Sequence, residues 1–82
     1  MSDDLRWFVR DLVKFIQNKY NESLVAARAS EGKEDKFDLG LRFAYYDVLD
    51  LIRSQLEVFG HDPKEIGSIV PNLGQPIHPR KD

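Results

Sequence analysis

Cysteine is absent from all 82 residues, which excludes disulfide bridges and thiolate-bound metal, two of the devices that usually hold so short a chain together. Net charge is nearly absent as well. Twelve basic against fourteen acidic residues leave −2, so no global field draws the molecule onto nucleic acid or an anionic membrane, and neither is expected as a partner. No uninterrupted apolar run approaches membrane-spanning length, and the N-terminal Met1-Ser2-Asp3-Asp4 carries acids where a secretory leader carries cations. A cytoplasmic location is the expectation. Histidine is scarce: His61 follows Gly60 and His78 lies among prolines, and no Glu-x-x-His or His-Glu-x-x-His spacing marks a helical metal centre. No cofactor, metal site or catalytic residue is expected, and the chain reads as a non-enzyme.

What is present is helical amphipathicity. Apolar residues make up 41% of the chain and charged ones 32%, a balance that suits a folded helical domain rather than a disordered segment. Leu5, Phe8, Val9, Leu12, Phe15, Ile16, Tyr20, Leu24 and Ala27 recur at spacings of three and four, with Val13 on the flank, predicting a first helix over about 3–29. Ser2, Asp3 and Asp4 offer an N-cap and acids in the first turn, where the helix dipole favours them. Gly32 ends it by left-handed backbone, and a charged turn around Lys33 follows. Phe37, Leu41, Ala44, Tyr45, Val48, Leu49, Leu51, Ile52, Leu56 and Phe59 set a second helix over about 37–59, capped by Asp35 or Asp38 and closed by Gly60. A short polar connection between two long helices makes an antiparallel hairpin. Asp62-Pro63-Lys64-Glu65 then reads as the start of a short third helix over about 63–70. Gly67, Pro71, Gly74, Pro76 and Pro79 leave residues 71–82 as an extended or disordered tail after a single domain over 1–70.

The apolar bands are wider than one hairpin can cover. At about 100° per residue, the first helix carries apolar side chains over nearly half its circumference, whereas contact with one neighbouring helix hides roughly a third. At this size a monomer also buries only about 60% of the surface its unfolded chain exposes. The sequence therefore predicts an all-α homodimer, two hairpins forming a four-helix bundle, with Phe8, Leu12, Phe15, Tyr45, Val48, Ile52 and Leu56 in the interface.

Some residues lie off the main bands. Trp7 stands nearly opposite the centre of the first band beside Arg10 and Lys14, available to stack under a cation, to be covered by the rest of the chain, or to touch a partner. Leu39, Phe43 and Tyr46 form a second apolar patch on the second helix, which the segment 66–73 is expected to cover, the adjacent Tyr45 and Tyr46 rings then entering different interfaces. Trp7, Arg10, Lys14, Phe43 and Tyr46 are the candidate partner contacts. Lys19, Ser23 and Gln55 are polar intrusions in the bands; Gln55 is placed to fix register by pairing across a symmetry axis, or to lie at the edge.

These features point to protein–protein interaction by a homodimer. Two alternatives stand beside it. Asp47, Asp50 and Glu57 make an acidic strip that would suit a toxin-neutralising or immunity protein facing a basic enzyme. Arg6, Arg10 and Lys14 make a basic stripe that would suit weak, salt-sensitive nucleic-acid binding by a dimer.

Overall fold

The computed structural model describes residues 2–29 and 36–78, apart from a few side chains within the helices. Two helices, α1 (Asp3–Ala29) and α2 (Lys36–Val58), form an antiparallel hairpin, and a 3-10 turn at Pro63–Glu65 opens the segment that follows. Among the described residues there is no strand. The Gly32 and Asp35 signals, the charged turn and residues 79–82 lie outside the described residues, and Asp38 falls within α2 rather than ahead of it.

Each described helix end has a local chemical cause. Ser2 caps α1: its Oγ accepts from Leu5 N–H (3.2 Å) and its carbonyl from Arg6 N–H (2.9 Å), satisfying donors that the first turn otherwise leaves bare. At the far end of α2, His61 N–H donates to the Leu56 carbonyl and Gly60 N–H to that of Glu57. Those two bonds define a Schellman motif, which needs a left-handed residue, and Gly60 supplies it at φ 81°.

The third helix is shorter than its start signals predict. Asp62 accepts from Lys64 N–H (3.0 Å) as a cap and Pro63 occupies the first position, yet the turn ends at Glu65. Gly67 leaves right-handed space at φ 107°, and Pro71 biases Val70 away from helical dihedrals. From Ile66 onward the chain instead runs along the hairpin as a strap.

That strap completes the core. Ile66 and Ile69 pack with Val13 and Leu49 in one buried cluster, bordered by Val9, Ile16, Ile52, Leu56 and Val70. Ile77 packs with Tyr20 and Leu24 in a second, bordered by Tyr45 and Tyr46. The rings of Tyr45 and Tyr46 therefore border one cluster, not two interfaces as the placing of Tyr45 in the main band and Tyr46 off it predicts. The Tyr46 side of the second patch is met by Ile77 rather than by residues 66–73, because those earlier residues are spent on Val13 and Leu49.

Candidate functional site

The two faces of the hairpin differ in kind. On the strap side, α1 presents polar residues that bind backbone. Gln17 is 2% exposed, and its Nε2 donates to the carbonyls of Ser68 (2.9 Å) and Ile69 (3.1 Å). Tyr20 Oη accepts from Gly74 N–H at 3.0 Å. Asn21 holds Ile77 at both ends of its peptide unit, Oδ1 accepting from the N–H at 2.9 Å and Nδ2 donating to the carbonyl. A strap with few helical or sheet bonds of its own needs such partners, since buried backbone polar groups left bare are costly. Asn21→Ala should therefore lower stability by about 1 kcal/mol, the loss of two part-buried bonds exceeding the roughly 0.5 kcal/mol that alanine returns in helix propensity. Urea unfolding measures the difference, and faster exchange of the Ile77 amide locates it.

Among the described residues nothing covers the other face in this way. At about 100° per residue, Leu5, Phe8, Leu12 and Phe15 lie on the side of α1 turned away from Gln17 and Asn21, and Phe37, Val48 and Leu51 on the matching side of α2. All of these are exposed, Phe8 at 63% and Phe15 at 68%. Between the open ends of the helices this face sinks into a groove of about 530 Å³ lined by Leu5, Val9, Leu12, Leu51, Ile52, Gln55, Leu56, Phe59 and His61. Of the residues named for the interface from sequence, Phe8, Leu12, Phe15 and Val48 stand open on this face. Tyr45, Ile52 and Leu56 are half-buried on the intrachain clusters, Ile52 and Leu56 also flooring the groove.

The candidate contacts outside it are scattered. Trp7 remains 48% exposed, with the Arg10 guanidinium 4.7 Å from its ring centroid, so its partner is a local cation and not the strap. Lys14 is half-buried. Phe43 is exposed beside Arg42, and Tyr46 is half-buried against Tyr20, Leu24 and Ile77. Of the polar intrusions, Lys19 pairs with Glu22 at 3.7 Å and Ser23 bonds back to the Tyr20 carbonyl.

The charged strips are partly cancelled. Arg53 bonds Asp50 at 2.7 Å and Glu57 at 3.2 Å, and these acids, Asp50 foremost, hold its guanidinium more firmly protonated than usual. Two of the three carboxylates in the acidic strip thus already face a cation. Arg6 lies 3.7 Å from Asp3. Among the described residues no three His, Asp or Glu side chains converge to hold a metal ion, and no described helix is long and apolar enough to cross a membrane.

Sequence reasoning passed over Gln17 and Asn21. Both look like solvated positions beside the apolar band until a distant segment lies across them. The one available signal was the 17–20–21 cluster of hydrogen-bonding side chains at helical spacing, which is too common to single out. Comparison of the chain with protein-family models, curated proteins and solved structures returns no match.

Proposed function

We propose that this protein is a non-enzymatic homodimer that acts through protein–protein interaction, its two hairpins packed by their bare faces into a four-helix bundle. The observation that carries this reading is the continuous apolar surface formed by α1 and α2 together, with aromatic and aliphatic side chains open to water on the side that the strap does not reach. Exposed apolar patches of this extent on small proteins mark interaction surfaces.

A second copy suits this surface because both helices contribute matched strips of similar length. Two such faces pack as helix layers do elsewhere, with side chains of one filling the groove of the other. Dimerisation leaves the exposed rings of Trp7 and Phe43 on other sides of the hairpin, as surfaces for a different protein. Arg53 bridges two of the three carboxylates of the acidic strip, leaving that face less open to a basic partner, which favours this reading over neutralisation of a basic enzyme.

Sedimentation equilibrium of the full chain over a hundredfold range of concentration tests the proposal. A mass of twice the chain at micromolar concentration is expected, together with a melting temperature that rises with concentration, as mass action requires of a dimer. A monomer throughout that range overturns it.

A further inference from the structure

The two strips of the bare face are graded in size. Because the helices are antiparallel, Leu5 stands at the level of Phe59 and Leu12 at that of Ile52 along the groove. Within the clusters, Ile16 stands at the level of Leu49 and Tyr20 at that of Tyr45. On α1 the large side chains of this face end at Phe15, and at about 100° per residue the same side continues as Lys19, Ser23 and Ala26. On α2 it stays apolar from Phe37 through Leu41, Val48 and Leu51 to Phe59, with the exposed Gln55 interrupting it. The half of the hairpin beyond Phe15 thus has large side chains on one helix and small or polar ones on the other.

Resting on the dimer proposed above, we infer that its two-fold axis runs along the hairpins, so that α1 of each subunit lies on α2 of the other and both open ends point the same way. The axis of two such faces can run crosswise, over both helices, or lengthwise, between them. Crosswise, it lays α1 upside down on the partner's α1. Centred on the hairpin, that arrangement presses Lys19 onto the partner's Phe15 and Leu12, where an ammonium without a polar partner is costly. Shifted until the two Leu5 to Phe15 strips match, it leaves Val48 and Phe37 bare at 40% and 70% exposure.

Lengthwise, every level meets itself and both strips are covered from end to end. Leu5 to Phe15 lie over the partner's Phe59 to Val48, and Phe37 and Leu41 fall over Ser23 and Ala26, whose small side chains leave the hollow that a large one fills. The Lys19 ammonium, drawn to the flank by Glu22 at 3.7 Å, comes to the level of the partner's Asp47, the strip carboxylate that Arg53 leaves unbonded. Large side chains therefore meet small ones and a cation meets an acid, which selects this packing over the crosswise one.

The lack of cysteine lets a single nitroxide label mark each level. Full-length Asp4→Cys and Lys36→Cys variants, at exposed positions where α1 and α2 begin, are labelled separately, and the label-to-label distance in each dimer is read by double electron–electron resonance beside sedimentation. A lengthwise axis keeps equal residues at one level, so both distances should stay under about 30 Å, two helix layers 8–10 Å apart plus the label arms. A crosswise axis inverts the levels. The two positions lie about 37 Å apart along the helices at 1.5 Å per residue, so wherever such an axis crosses, at least one of the distances exceeds about 35 Å. A sedimenting dimer with either distance beyond about 30 Å overturns the lengthwise axis and leaves the homodimer standing; a monomer removes both. Adding Leu12→Asp and Phe15→Asp to the labelled chains should abolish both dipolar signals, and short distances that survive those substitutions place the contact on another face and overturn the inference.

Discussion

A chain ending at Gly60 is expected to lose cooperative folding, although it retains both long helices. The reason lies in what residues 61–78 bury. Ile66, Ile69 and Ile77 are 4%, 3% and 9% exposed, and at about 1.5–3 kcal/mol for each buried aliphatic side chain their removal withdraws roughly 5–9 kcal/mol. The whole stability of a domain this size is about 4–12 kcal/mol at the usual 0.05–0.15 kcal/mol per residue. Truncation also exposes Val13 and Leu49, which the strap roofs, and strips the Gln17 amide of both acceptors. Far-UV circular dichroism should keep much of its helical signal, because propensity and amphipathicity are local, while the near-UV tyrosine signal and the sharp urea transition disappear. A truncated chain that unfolds at the same urea midpoint as the full one would show that the strap is an accessory.

The strap is also where sequence and structure part company. The helix bounds were legible because their causes are local: the three-four recurrence from Leu5 to Leu24, the serine ahead of Asp3 and the glycine after Phe59 act on neighbours a few residues away. The path of residues 66–78 was not, since it rests on Gln17, Tyr20 and Asn21 meeting backbone more than fifty residues later. No periodicity records such a pairing. The same limit shaped the reading of the apolar bands. Their excess width was visible at Phe8, Phe15 and Val48, but part of it is taken up by the strap at Val13 and Leu49. Tyr45, Ile52 and Leu56 stand at the edge between the chain's own core and its bare face, a distinction that projection onto an ideal helix does not resolve.

The bare face itself yields the largest expected effect on assembly. Replacing Leu12 and Phe15 together by aspartate should raise the dimer dissociation constant by at least about a thousandfold, because a charge buried without a partner in an interface costs about 2–5 kcal/mol and two-fold symmetry enters each substitution twice. Both side chains are exposed in the subunit, at 41% and 68%, and neither belongs to the Val13–Leu49 or Tyr20–Ile77 clusters. The damage is therefore directed at assembly and not at the intrachain core. Phe43→Asp is the matching control: it adds one charge at an apolar position of equal exposure, 41%, on a different side of α2, and its sedimentation should stay that of the wild type. The double variant should sediment as a monomer and melt at a temperature independent of concentration, since a melting point that rises with concentration belongs only to a species that dissociates on unfolding. Should it instead remain dimeric, the face of Phe8, Leu12 and Phe15 would not be the one that joins the subunits, and the apolar surplus would have to be assigned to a partner other than this chain.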